Sequence, residues 1–174
     1  MRNRRKLTSW GSPAFILQSA TLGKRAIILY DAHMKIFLSH ARKDAALARQ
    51  LVERLARKGF TVWMPEDKIE PGDNWAKKMG KALEDSEFMV ILLTPKALES
   101  DSIRQDIEFA IMSRKYEGRV LTVFVGPMLQ AGKDMPWILL KLPHRQVGSP
   151  ADFGDVVREI ESQCAESNVS QSNA

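Results

Sequence analysis

The chain has 174 residues, of which 44% are hydrophobic and 27% are charged, a composition typical of one globular domain. The longest apolar runs, Phe88–Leu93 and Val120–Val125, are far shorter than the ~20 residues that cross a bilayer, so we predict no transmembrane helix. Cys164 is the one cysteine in the sequence, which excludes an internal disulfide and the framework of a small secreted protein. We therefore expect a cytoplasmic protein.

The net charge of +5 is concentrated at the N-terminus. Residues 1–33 carry six basic side chains and one acidic side chain, whereas residues 34–174 carry twenty of each. The neutral body gives no support for nucleic-acid binding by the domain itself. Three interpretations of 1–33 stay open: a loosely ordered basic arm, an upstream extension ahead of a true start at Met34, or a targeting or membrane-contact segment. The predicted domain begins at Met34 and ends near residue 166.

The first half of this domain alternates short apolar runs with helical spacing. The strands are predicted at 35–39, at 60–64 before Pro65, and at Phe88–Leu93. Gly59 is placed to end the first helix, and Asp73 or Asn74 is placed to cap the second. The predicted inward residues are Leu47, Leu51, Val52 and Leu55 in the first helix, and Trp75, Met79, Ala82 and Leu83 in the second.

The second half continues the alternation. A helix with Ile103, Ile107, Ala110 and Ile111 on its inner face is followed by a strand at Val120–Val125. After a long connection at 126–143, with a short helical turn at 137–140, a weak fifth strand is predicted at 145–147. Ser149 and Pro150 start a last helix, and residues 167–174 are predicted to be disordered. The inner residues of the last helix are predicted to be Phe153, Val156, Val157, Ile160 and Cys164.

Hydrophobic strands separated by amphipathic helices predict an α/β fold. It is a flavodoxin-like three-layer sandwich, a parallel sheet of four or five strands with helices on both faces. Ligands of such sheets bind at the carboxyl ends of the strands. The loops after the first four predicted strands are therefore the places to search for a site.

These loops lack the residues that several common kinds of site require. There is no Gly-x-x-x-x-Gly-Lys-Ser/Thr loop and no Gly-x-Gly-x-x-Gly after the first strand, which excludes P-loop and ordinary dinucleotide binding. A phospho-acceptor receiver domain would need paired acids where the chain has Ser39 and His40. The pair His40 and His144 with Cys164 is not a plausible zinc set, so no metal is expected.

Six segments together resemble the Toll/interleukin-1 receptor (TIR) domain family, bacterial type. The order and approximate spacing of the segments are those of the family, and the resemblance covers about 34–126. The stretch at 136–139 is also similar to a bacterial subgroup. The six segments are Phe37-Leu38-Ser39-His40, Arg42-Lys43-Asp44, 59–63, 69–75, 82–86 and 90–95.

The resemblance implies one of two functions. Some TIR domains cleave NAD+ between nicotinamide and ribose, by hydrolysis or cyclisation, in bacterial immune and cell-death signalling including antiphage defence. Others are non-catalytic modules that bind other TIR domains in signal transduction. We expect NAD+ cleavage, with NAD+ as substrate and no cofactor, and keep the interaction module as the alternative. Both imply self-association, and a separate polypeptide is expected to supply a sensor or effector.

The resemblance also implies the catalytic residue. Catalytic family members carry a Glu four residues after a Trp, and the register set by the buried face of the helix places Asp106 at the Glu position and Ser102 at the Trp position. Asp keeps the charge but withdraws the carboxylate by about one C–C bond, and about 1 Å in a catalytic group can cost on the order of a hundredfold in rate. Glu108 is the alternative acid, although it lies ~200° around the helix from Asp106.

The remaining site residues follow from the same motifs. We predict an interaction loop around Pro71 and Gly72, and we expect Trp75 in the core and Glu66, Asp67 and Glu70 on a solvated face. The predicted substrate-binding residues are Ser39, His40, Arg42, Trp63 and Thr94, and the interaction-loop residues are Ile69, Pro71, Gly72 and Asp73.

Overall fold

The computed structural model describes residues 34–127 and 137–172. Its strands are β1 (Lys35–His40), β2 (Thr61–Trp63), β3 (Phe88–Leu93), β4 (Val120–Val125) and β5 (His144–Val147). Its helices are α1 (Ala45–Ala56), α2 (Pro65–Lys68), α3 (Trp75–Asp85), α4 (Asp101–Met112) and α5 (Phe153–Ser172). The expectations for 1–33, for 128–136 and for the last two residues lie outside the described ranges.

The five strands form one parallel sheet in the order β2-β1-β3-β4-β5, which confirms the predicted α/β class. Strands β3 and β4 are buried along their whole length and are apolar except for Thr122 of β4, because helices cover the sheet on two faces. Helices α1 and α5 pack on one face, and α3 and α4 pack on the other. The site is therefore to be sought where the carboxyl ends of β1, β2 and β3 meet.

The predicted helix faces are largely those that are buried. Met79, Ala82 and Leu83 of α3 and Ile103, Ile107 and Ala110 of α4 are in the core. Ile111, which was expected on the inner face of α4, is 38% exposed. It follows Ala110 by one residue near the end of the helix, where ~100° of rotation carries its side chain away from the sheet.

Local signals explain most of the helix ends. Gly59 has φ 91°, a left-handed conformation that glycine adopts without strain, and it follows α1 as predicted. Asn74 caps α3 by accepting a hydrogen bond from the Lys77 amide at 3.0 Å. Helix α5 continues to Ser172, beyond the point where disorder is predicted, because residues 165–172 contain no glycine or proline to stop it.

Cys164 lies on the buried face of α5. Burial raises the pKa of its thiol to about 12, so the thiolate required of a nucleophile is suppressed. The cysteine is therefore a core residue, as its place in the predicted inner stripe suggests.

Candidate active site

A pocket of about 250 Å³ opens at the carboxyl end of β1. Three loops and helix ends meet there because β1 lies between β2 and β3 in the sheet. The chain from β2 into α2 forms one wall, and the N-terminal halves of α3 and α4 form the other. The lining residues are Ser39, His40, Arg42, Pro65, Glu66, Trp75, Met79, Ser102 and Asp106.

Asp106 is the half-buried acid of this pocket. Asp106 lies at the edge of the buried face of α4, which carries Ile103 and Ile107. Its carboxylate is therefore directed toward the end of β1. The buried Ser39 hydroxyl donates a hydrogen bond to Asp106 Oδ2 at 2.7 Å. Burial raises the pKa of Asp106 to about 6, against the opposing effects of the Ser39 hydrogen bond and of His40. The acid is thus mainly ionised at pH 7 and titrates near neutrality.

Glu66 is a second acid in the pocket and was not predicted there. Its Oε2 lies 3.0 Å from Nε2 of His40, whose side chain is wholly buried, and the Glu66 side chain is 24% exposed. The residue as a whole is exposed, as expected, but its carboxylate contacts buried His40 and lines the pocket, which the sequence did not indicate. Pro65 was interpreted only as the end of a strand, whereas it starts the single turn of α2, and this turn brings Glu66 back over β1.

Trp75 also lines the pocket, although a core position was expected. It begins α3 and is 49% exposed. Trp75 shares a helix face with Met79, which also lines the pocket, but it lies one turn further toward the end of the sheet. The periodicity correctly gives its face, while its position along the helix axis places the indole at the pocket wall.

The other residues expected to bind substrate are divided between the pocket and its surroundings. Arg42 lines the pocket and is exposed. Trp63 is not among the lining residues, because its ring stacks on buried Phe37 with centroids 5.1 Å apart and planes 14° apart. Thr94 donates to Asp44 Oδ2 at 2.8 Å and so joins the loops after β1 and β3.

Of Ser102 and Glu108, only Ser102 lies at the pocket. Ser102, one turn before Asp106, lines the pocket and lies 2.9 Å from the Ser100 hydroxyl. Glu108 is exposed and is not among the lining residues. Of the two acids proposed for catalysis, Asp106 is the one at the pocket.

The predicted interaction loop forms a defined turn before α3. The Lys78 ammonium contacts the Asp73 carboxylate, which also accepts a hydrogen bond from the Glu70 amide at 2.7 Å, and these two partners lower the pKa of the Asp73 carboxyl. Gly72 has φ 96°, and Ile69 packs against the core cluster of the α3 and α4 face. Pro71 is exposed.

Neither 34–127 nor 137–172 contains three or more His, Cys, Asp or Glu residues grouped to hold a metal ion. Within these ranges no helix is both long and apolar enough to span a bilayer.

The fold and the pocket define a parallel α/β domain with a half-buried carboxylate at the end of its first strand. A family model described as TIR domain matches residues 36–149. The chain belongs to the TIR domain family, as the sequence motifs predicted.

Several curated relatives are named for NAD+ chemistry. An NAD(+) hydrolase, TcpA, from a Theionarchaea archaeon is 27% identical over 94 residues, which are 52% of this chain and 28% of the relative. The 2′ cyclic ADP-D-ribose synthase BtTIR of Bacteroides thetaiotaomicron is 26% identical over 83 residues, 47% of this chain and 29% of BtTIR. The NAD(+) hydrolase TcpC of Escherichia coli O6:H1 is 25% identical over 88 residues, 50% of this chain and 29% of TcpC. Each match thus spans less than a third of the relative.

Two solved structures share the fold. A metazoan TIR-STING receptor from C. gigas, in complex with 2′,3′-cGAMP, has a TM-score of 0.61 at 18% identity, covering 76% of this chain and 41% of the receptor chain. The SEFIR domain of interleukin-17 receptor B has a TM-score of 0.51 at 12% identity, covering 76% of this chain and 98% of that domain. At these identities the likeness concerns the fold.

Proposed function

We propose that the protein cleaves the bond between nicotinamide and ribose in NAD+, with Asp106 as the catalytic carboxylate. The observation that carries the proposal is the half-buried Asp106, held by Ser39 inside a pocket at the end of β1. The relatives named NAD(+) hydrolases and 2′ cyclic ADP-D-ribose synthases support the substrate.

The chemistry suits a site of this kind. When the C1′–N bond breaks, its electron pair stays on the nicotinamide nitrogen, so nicotinamide leaves as a neutral molecule and needs no strong acid. Positive charge grows on the ribose, and a nearby carboxylate stabilises it. Addition of water at C1′ with loss of one proton gives ADP-ribose. Addition of a hydroxyl of the same molecule, also with loss of one proton, gives a cyclic ADP-ribose, which has one water less than ADP-ribose.

Other pocket residues have roles in this proposal. The exposed face of Trp75 provides a flat surface on which nicotinamide can stack. Arg42 at the pocket supplies a cation for the pyrophosphate. Trp63 and Thr94 are not among the lining residues, so their predicted contact with NAD+ would require a substrate that extends past the pocket.

We further propose that the cleavage operates in cytoplasmic signalling of the immune or cell-death type, on self-assembly and with a separate sensor or effector protein. The predicted interaction loop and α4 are the surfaces proposed for assembly. Helix α4 exposes 40% of Phe109 and 83% of Met112, two apolar residues one turn apart.

The test is nicotinamide release from NAD+ by the concentrated full-length chain with a crowding agent. Asp106→Asn should lower the rate by about a hundredfold or more, because the charge that stabilises the transition state is lost. Asp101→Asn is the matched control, since Asp101 lies on the same helix with its side chain 88% exposed. No release from the parent, with assembly verified by sedimentation, would overturn the proposal.

The alternative is a non-catalytic TIR–TIR interaction module. The exposed Phe109 and Met112 favour it, together with Asp106 and Ser102 at positions where catalytic members have Glu and Trp. Met112→Glu should then weaken self-association in sedimentation experiments, whereas Gln50→Glu, an exposed position on α1 across the sheet, should not. Assembly without nicotinamide release would establish this function.

A further inference from the structure

The end of β1 has one carboxylate on each side. Ser39 and His40 are consecutive in this strand, so their side chains leave it on opposite faces. Ser39 Oγ lies 2.7 Å from Asp106 Oδ2, and His40 Nε2 lies 3.0 Å from Glu66 Oε2. Both acids line the same pocket, although they come from opposite walls.

The direction of Glu66 is set by the single turn of α2. Glu66 and Asp67 are neighbours in this turn, so their side chains leave it ~100° apart. Asp67 Oδ1 lies 3.3 Å from Arg49 Nη2 on α1, outside the pocket, and its side chain is 45% exposed. Glu66 turns instead to the pocket, with 24% exposure. The turn therefore has one pocket acid and one surface acid.

Among residues 34–127 and 137–172, His40 is the one ion-pair partner of Glu66. The His40 side chain is wholly buried, with Nδ1 3.4 Å from the Leu38 carbonyl oxygen and Nε2 beside Glu66 Oε2. Within 34–127 and 137–172, no residue other than His40 contacts the Glu66 carboxylate through a hydrogen bond or an ion pair. An ionised carboxylate is purely an acceptor with about four acceptor sites, so Glu66 keeps sites for a ligand donor beside its contact with His40.

We propose that Glu66 is a substrate-binding residue that accepts hydrogen bonds from the hydroxyl groups of the nicotinamide-side ribose. This assignment rests on the proposed NAD+ cleavage. The pocket of about 250 Å³ is smaller than the ~300–1,000 Å³ of typical ligand sites, which suits one nucleoside half of the dinucleotide. A ribose diol offers donors to carboxylates on two sides, and two anionic walls also favour the cationic nicotinamide nucleoside.

The test compares Glu66→Gln with Asp67→Asn in the full-length chain. Both variants remove one negative charge from the same turn, but only Glu66 lines the pocket. For Glu66→Gln the KM for NAD+ should rise about tenfold or more while kcat stays within about twofold, because the lost contact binds substrate rather than stabilising charge development. Asp67→Asn should keep both parental constants.

A substrate change identifies the group that Glu66 binds. NAD+ that lacks a hydroxyl on the nicotinamide-side ribose should bind the parent more weakly, whereas the same deletion should have little further effect on Glu66→Gln. Glu66→Asp, which keeps the charge and withdraws the carboxylate, should also raise the KM, and this variant keeps the test valid if Glu66→Gln folds poorly. Equal effects of the hydroxyl deletion in parent and variants would overturn the ribose contact.

Binding of nicotinamide riboside, detected by saturation-transfer NMR, separates the two proposals. A parent that neither cleaves NAD+ nor binds the riboside would overturn both. A parent that cleaves NAD+ while Glu66→Gln has the KM of Asp67→Asn would overturn the role of Glu66 alone. Riboside binding without cleavage, lost in Glu66→Gln, would support the ribose contact and overturn the proposed reaction.

Discussion

The hydroxyl of Ser39 and the carboxylate of Asp106 are 2.7 Å apart, although 67 residues separate them in the chain. The hydrogen bond joins the end of β1 to the middle of α4 and orients an acid whose side chain is one carbon shorter than that of Glu. It also favours the ionised form of Asp106, in opposition to the burial that raises its pKa to about 6. Ser39 therefore affects both the position and the charge of this acid.

Removal of this hydrogen bond should move the pH dependence of the reaction. If the ionised carboxylate is required, NAD+ cleavage by the parent declines as the pH falls through about 6. Ser39→Ala should raise the pKa of Asp106 further and move the midpoint upward by about one pH unit. The pH profile of kcat/KM measures this shift, and a carboxyl-carbon NMR titration of Asp106 measures it independently of activity.

The control is Ser102→Ala, which removes a pocket hydroxyl that is not bonded to Asp106 and should leave the midpoint in place. An unshifted midpoint in Ser39→Ala would contradict the prediction.

The same acid should reduce the stability of the fold at neutral pH. Its pKa rises from 3.8 to about 6 on folding, so its favourable contribution is complete below pH 3.8 and is lost as the pH rises through about 6. Asp106→Asn, which keeps the shape and an acceptor for Ser39, should therefore stabilise the protein by about 1–3 kcal/mol at pH 7.5. Urea unfolding at pH 7.5 and at pH 5 measures the difference, which should shrink at the lower pH. Asp101→Asn, at an exposed position of the same helix, should change the free energy of unfolding equally at pH 7.5 and at pH 5. An Asp106→Asn protein that is less stable than the parent at pH 7.5 would contradict the linkage.

Asp106 was implied by the resemblance to the TIR family, and the helical period of α4 only fixed the register that places it at the catalytic position. Ile103, Ile107 and Ala110 are buried as expected, and they leave little freedom in the orientation of Asp106. Glu66 could not be found in this way, since the four residues of α2 are too few to show a period. The proline that starts α2 is equally typical of the end of a strand, so this local signal was ambiguous.

Trp75 shows that helical spacing predicts which face of a helix is turned inward but not how far along the sheet a residue lies. The spacing with Met79, Ala82 and Leu83 correctly predicts the face of α3 that turns toward the sheet. It does not give the position of each turn relative to the sheet edge, which depends on how the strands and helices are staggered in three dimensions. A residue on the inner face but beyond the end of β1 lines a pocket instead of the core.

A longer acid at position 106 should improve catalysis if the site is otherwise intact. Asp106→Glu extends the carboxylate by about one C–C bond toward the pocket, and we expect a gain of about tenfold or more in the rate of nicotinamide release. Glu108→Gln tests the alternative acid on the same helix and should have no effect, because Glu108 is exposed and is not among the pocket-lining residues. A loss of activity in Glu108→Gln with none in Asp106→Asn would assign catalysis to the other face of α4.

Tyr116 should contribute to stability through one buried hydrogen bond. Its side chain is 1% exposed, and its hydroxyl donates to the Leu83 carbonyl oxygen near the end of α3 at 2.7 Å. Lys115 Nζ lies 3.2 Å from the same oxygen, so Tyr116→Phe leaves this acceptor with a partner and should cost only about 1 kcal/mol in urea unfolding. When Lys115→Met is already present, Tyr116→Phe removes the remaining side-chain donor to the Leu83 carbonyl. Tyr116→Phe should then cost about 2 kcal/mol or more in the free energy of unfolding. Equal costs in the two backgrounds would mean that Lys115 does not compensate for the lost hydroxyl, and the carbonyl would then depend on Tyr116 alone.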